Sequence, residues 1–101
     1  MSNKRFGLAK EREAKKQLEA DGWSVIRSRG SFGFYDLCCM HPKLGWKLIQ
    51  VKATHQKYMS YGAEIEKICW HKVPPNTQKE FWIYRTRLKG RQAGWERIVI
   101  K

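Results

Sequence analysis

No stretch of this 101-residue sequence stays apolar for the roughly 18 to 20 residues a membrane-crossing helix needs, and the opening MSNKRFGLAKEREAKK has no apolar segment behind its charges. That argues against a spanning segment and a secretory leader, so a soluble, non-exported cytoplasmic protein with no membrane partner is expected. Cysteine is sparse and odd in number: Cys38, Cys39 and Cys69, two of them adjacent. A disulfide scaffold does not follow from that set, whereas buried thiols in a reducing compartment do. Zinc lacks its spacing as well. Cys38, Cys39, His41 and His71 contain no Cys-x-x-Cys or His-x-x-x-His, and adjacent strand residues point to opposite faces. Repeats, linkers and low-complexity tracts are missing.

Acid is scarce, with 9 Asp and Glu against 21 Lys and Arg and a formal charge of +12. A surface of that sign concentrates polyanions, of which nucleic acid is the commonest in the cytosol. An anionic membrane would instead require a basic helix with a bulky apolar face, and the first helix offers mainly Ala and Leu there. What is plentiful is core material. Hydrophobic residues make up 42% and aromatic residues 13%, too much for a disordered basic tail. A chain this short has room for one core, so residues 1–101 are expected to form a single domain.

Residues 7–20, GLAKEREAKKQLEA, are rich in helix formers and are followed by the stop signal Asp21-Gly22. Gly7, Glu11, Ala14 and Leu18 share one stripe, which sets the Glu11 carboxylate on the small, apolar side and calls for a partner, in the simplest case an Arg. Strands are expected over 23–28, 34–40 and 46–52, the first two joined by the turn RGSFG. In the second, Phe34, Asp36, Cys38 and Met40 should share one face and Tyr35, Leu37 and Cys39 the other. In the third, Leu48, Gln50 and Lys52 should oppose Ile49 and Val51. A loop over 53–62, a helix over 63–73 with Ile65, Ile68 and Cys69 inward, and strands over 81–87 and 95–100 complete the order αβββαββ. The fold class is α+β.

An aspartate, a glutamine and a lysine on consecutive strands among Leu, Ile and Cys are costly unless something compensates them. Glu11, Asp36, Gln50 and the main chain at Val51 offer oxygen ligands for a hard cation such as magnesium. Lys52 would then orient water or offset charge at a phosphorus centre. The same three strand residues also fit ordinary snorkelling or paired side chains.

The sequence resembles the archaeal-type Holliday junction resolvases of the PD-(D/E)XK nuclease superfamily, in a form that suits an archaeal or a viral member. The resemblance runs through KRFG, GLAKERE with Glu11, the helix ending in DGW, SVIRSRGS, YDL with Asp36, LIQVK with Lys52, the aromatic loop QKYMSYG and the late Gly94-Trp95. It implies a restriction-endonuclease-like mixed sheet flanked by helices. It further implies a homodimer that nicks four-way DNA junctions by phosphodiester hydrolysis with magnesium, or manganese in its place, and no small-molecule cofactor. Glu11, Asp36, Gln50 and the Val51 carbonyl would be metal ligands, Lys52 the catalytic lysine, and Ser31 a polar residue near the scissile phosphate. Two positions depart from the pattern. Tyr35 stands where the superfamily motif has Pro, and Gln50 where it usually has Glu or Asp, which removes one negative charge from the site. Glu64 or Glu66 on the second helix would be the compensating acids, unless they only line a solvated face.

Lys4, Arg5, Lys10, Arg27, Arg29, Lys57, Arg85, Arg87, Lys89 and Arg91 are the expected phosphate contacts. No base-reading element is visible, which favours recognition of DNA shape. Two other functions fit the same residues: a sequence-specific endonuclease with this core, and a junction-binding protein with weak or absent catalysis because of Gln50.

Overall fold

The computed structural model describes residues 3–28, 35–55, 60–86 and 93–100, with only the backbone of Asn3 and Lys4. Its elements run α1 (Asn3–Ala20), β1 (Ser24–Arg27), β2 (Leu37–His41), β3 (Gly45–Thr54), α2 (Gly62–Trp70), β4 (Thr77–Arg85) and β5 (Gly94–Ile100). The order is the αβββαββ expected. All five strands form one mixed sheet in the order β1-β2-β3-β4-β5, in which β3 and β4 are parallel and the other neighbours antiparallel. The parallel pair needs a crossover, and α2 supplies it.

Helix α1 starts four residues before the glycine at which the sequence places it, because Phe6 is a buried anchor on its first turns. It ends where the sequence places it. Gly22, at φ 95°, donates to Glu19 O while Trp23 donates to Leu18 O, a Schellman closure that favours glycine. Gly45, at φ 90°, begins β3 so close to Asn76 that a Cβ there would lie 2.4 Å from the Asn76 carbonyl oxygen. No larger residue fits that crossing.

The sheet buries one core on each face. Ala14 and Leu18 of α1 pack with Trp23, Leu37, Cys39, Ile49, Val51 and Trp82 on one side. Ile68 of α2 packs with Tyr35, Phe81, Ile83 and Ile100 on the other. This corrects two sequence expectations. Tyr35 does not share a face with Leu37 and Cys39: β2 begins only at Leu37, and the chain turns over at Asp36. Cys69 is exposed, since α2 stops at Trp70 and buries Ile68 alone.

Strand β4 begins at Thr77, four residues before the expected Phe81, and takes two charged residues into the interior. Lys79 donates to the carbonyls of Ile68, Cys69 and His71, closing the C-terminus of α2. Glu80 pairs with Lys47 at 2.9 Å and accepts from Trp82 Nε1, so both buried charges are compensated. The expected loop at 53–62 also loses its first two residues to β3, whose Ala53 and Thr54 pair with Tyr84 and Arg85.

Among the described residues, the α2 face is covered mainly over β4 and β5, with Leu48 of β3 at the margin. Across β1, β2 and β3 the register aligns Ile26, Cys38 and Leu48 in one row and Ser24, Met40 and Trp46 in the next, and Ile26, Met40 and Trp46 remain exposed. No described helix is long and apolar enough to cross a membrane.

Candidate functional site

The site forms where β2 and β3 part. Their ladder ends at Leu37 opposite Ile49, leaving residues 50–54 of β3 without a β2 partner. Asp36 fills the gap. Its backbone N–H donates to Ile49 O and its carbonyl accepts from Ser28 N, while its Oδ2 accepts from Val51 N at 2.8 Å. Because the N–H and C=O of one strand residue point the same way, the Val51 carbonyl faces this opening as well.

Glu11 comes from the other side, on the stripe of α1 that contains the buried Ala14 and Leu18. Burial raises its pKa, and the Asp36 carboxylate raises it further, while Arg27 and Arg12 work against the shift. Burial likewise raises Asp36, opposed by the Val51 hydrogen bond and by the charges of Lys52 and Arg27. Two half-buried carboxylates with raised pKa values, that of Glu11 in part through Asp36, stand beside an outward-facing carbonyl as a set of oxygen donors. That chemistry fits a hard divalent cation. Among the described residues no three His, Cys, Asp or Glu gather around a common point, and position 50 is an amide. Gln50 Nε2 lies 3.4 Å from Asp36 Oδ2, so the side chain presents its donor to the carboxylate.

Arg27 is the site residue that the sequence assigns elsewhere. It is expected to meet phosphate, yet its side chain is only 24% exposed and its Nε lies 3.9 Å from Glu11 Oε1. That buried Nε has no hydrogen-bond partner among the described residues, nor has the buried Ser28 Oγ. Alternation holds the signal. Arg27 stands opposite Leu37, with its side chain on the face that packs against α1, and so becomes the arginine that the Glu11 stripe calls for.

The other basic residues divide. Arg5 is exposed on α1. Lys10 pairs with Glu13 at 2.9 Å and lies 3.6 Å from the centre of the Tyr84 ring, and Arg85 stands 3.8 Å from Glu96 with its side chain 12% exposed. Each is held against an aromatic or acidic neighbour. The Lys4 side chain, Arg29, Ser31, Lys57, Arg87, Lys89 and Arg91 lie outside the described residues. Glu64 and Glu66 are exposed on α2. The zinc quartet has other occupations: His41 Nδ1 accepts from Lys43 and Leu44, His71 bonds Tyr35, and burial pushes the Cys39 thiol up to about 12.

No protein-family model matches the sequence, and no curated protein is significantly similar to it. The fold does find a counterpart. The chain superposes on Hjc, a Holliday junction resolvase from the archaeal hyperthermophile Archaeoglobus fulgidus, with a TM-score of 0.69 over 93% of this chain and 72% of that one, at 19% identity. The two share the fold of an archaeal-type resolvase, the restriction-endonuclease-like α+β arrangement.

Proposed function

We propose that this protein is a structure-selective endodeoxyribonuclease that resolves four-way DNA junctions as a magnesium-dependent homodimer. The observation that supports it most is the opening between β2 and β3, where Glu11, Asp36, the Val51 carbonyl and Lys52 meet on a fold shared with a junction resolvase. Glu11, Asp36 and the Val51 carbonyl would hold the ion. A bound magnesium ion, or manganese in its place, supplies Lewis acidity to the phosphate and to the attacking water.

The chain's own groups do the rest. Asp36 is fixed by four hydrogen bonds, two through its backbone and two through Oδ2, so Oδ1 has little freedom to wander. Lys52, near enough to lower the Asp36 pKa, offsets negative charge as the phosphorus centre becomes five-coordinate. Arg27 restrains Glu11. Ser31 is assigned a place near the scissile phosphate by the resemblance alone. The +12 charge binds the DNA backbone without reading sequence.

A homodimer supplies two sites for two nicks, and the uncovered rows of Ile26, Met40 and Trp46 offer an apolar surface for self-association. The Gln50 amide beside Asp36 favours one second reading, a junction-binding protein with weak catalysis. Incubating the protein with a four-way junction and with a linear duplex of matching sequence, each with magnesium, separates the two. Nicked junction and intact duplex support the nuclease. Retarded but uncut junction at every magnesium concentration supports the binder.

A further inference from the structure

Asp36 sits where the chain turns over. Tyr35 projects into the α2-side core and Leu37 into the α1-side core, although residues two apart in a regular strand share a face. Downstream, the β2 ladder holds the turn from Leu37 onward. Tyr35 itself belongs to no strand, and it lacks the fixed φ that a proline would bring. Its side chain anchors the residue in the α2-side core. It is 4% exposed, and its hydroxyl lies 2.9 Å from His71 Nδ1.

His71 is itself held. It is the residue that closes α2, donating its N–H to Ile68 O, and its own carbonyl accepts from Lys79 Nζ at 2.8 Å. Lys79 lies on β4, the strand that runs parallel to the 50–52 segment, with Phe81 opposite Gln50 and Ile83 opposite Lys52. Both halves of the site are thus referenced to one strand. Residues 50–52 are placed directly by the ladder, and the turn at Asp36, besides its backbone bonds to Ile49 and Ser28, is tied to the same strand through Lys79, His71 and Tyr35.

We infer that Tyr35 and His71 are positioning residues: their side-chain hydrogen bond, braced by Lys79, fixes the turn that aims the Asp36 carboxylate at Val51 and the opening beside it. The functional consequence rests on the nuclease reading above, whereas the geometric one does not. Tyr35→Phe keeps the buried ring and removes only the hydroxyl. His71→Ala removes the other partner, and His71→Asn restores an oxygen acceptor near the place of Nδ1.

Hydrogen exchange at the Val51 amide tests this without any cleavage, because that N–H is donated to Asp36 Oδ2. In Tyr35→Phe and in His71→Ala it should quicken about five- to tenfold, the size of one lost hydrogen bond, while the amides of Phe81 and Ile83 in β4 keep their wild-type rates. His71→Asn should return Val51 toward the wild-type rate. In parallel, junction nicking should slow in Tyr35→Phe and His71→Ala, with junction affinity in the absence of divalent ions unchanged. Unchanged Val51 exchange in both variants overturns the inference, as does a quickening shared equally by Phe81 and Ile83. Quickened Val51 exchange in a protein whose wild type never nicks a junction supports the positioning role and counts against the nuclease reading.

Discussion

Gln50 Nε2 approaches Asp36 Oδ2 at 3.4 Å, so the amide at position 50 lends the neighbouring acid a proton donor. On the proposed reading, two consequences both weaken cation binding. The site loses one negative charge for a cation, and Asp36 gains a weak partner that has to be given up or rearranged when a cation arrives. Gln50→Glu should therefore lower the magnesium concentration at half-maximal cleavage by about tenfold, since ligand charge sets the affinity of such sites. A magnesium titration of both proteins checks it. Identical midpoints would mean that position 50 does not touch the ion.

Asp36→Asn should reduce cleavage at least about a hundredfold while junction affinity stays equal or rises, because it removes a ligand and a charge that repels phosphate. The Asn oxygen can still accept from Val51 N, so the turn is kept. Strand nicking and gel retardation on the same preparation give both readings. Near-normal nicking would make Asp36 a structural residue.

The same substitution has a signature in stability. Burial raises the pKa of Asp36 and of Glu11, so around neutral pH the folded, metal-free protein bears a penalty for ionising groups that ionise freely when unfolded. For an acid whose folded pKa is raised, the native state binds more protons than the unfolded one across that window. Stability then falls as pH rises from the unfolded to the folded pKa. Asp36→Asn should thus be more stable than wild type at neutral pH, and the gain should shrink as pH falls through the ordinary carboxylate range. Thermal unfolding in the presence of a chelator, scanned from about pH 3 to about pH 8 so as to bracket that range, reads the difference.

On the opposite face from α2, Lys47 and Glu80 form a buried pair at 2.9 Å, with the Lys47 ammonium also 4.5 Å from the centre of the Trp23 ring. Lys47→Met should leave Glu80 buried with only Trp82 Nε1 for company, and cost about 3 kcal/mol in urea unfolding. The paired change Lys47→Met with Glu80→Gln should recover part of that loss.

Much of the site is legible in the sequence because strand alternation and helix periodicity are rigid rules. They put Glu11 on the stripe with Ala14 and Leu18 and set Lys52 on the face of Gln50, where β4 register then finds them. The rules fail where the backbone leaves regularity. Alternation sets Tyr35 beside Leu37, and only a turn at Asp36, held by a hydrogen bond to His71 far along the chain, puts it on the other face. Strand β4 starts earlier than its apolar run at Phe81 suggests, because Thr-Gln-Lys-Glu reads as solvated. Its Lys79 and Glu80 are buried only because α2 carbonyls and Lys47 await them. Arg27 shows the same limit, since a basic residue looks alike in sequence whether it meets a phosphate or a buried glutamate.

Binding should be electrostatic and shape-selective. The logarithm of junction affinity should fall linearly with the logarithm of salt concentration, with a slope of magnitude about five or more for roughly six or more phosphates contacted. Competing linear duplex should displace the junction poorly. A flat salt response would remove the +12 surface from the account.

The most direct test is strand mapping on a fixed four-way junction, each strand end-labelled in turn, with magnesium, with chelator, and with Asp36→Asn. A junction-resolving nuclease gives magnesium-dependent nicks at symmetry-related positions in two opposing strands, none with chelator or with the variant, and none in a matched duplex. Equal cutting of junction and duplex, or an intact junction at every magnesium concentration, would contradict that reading.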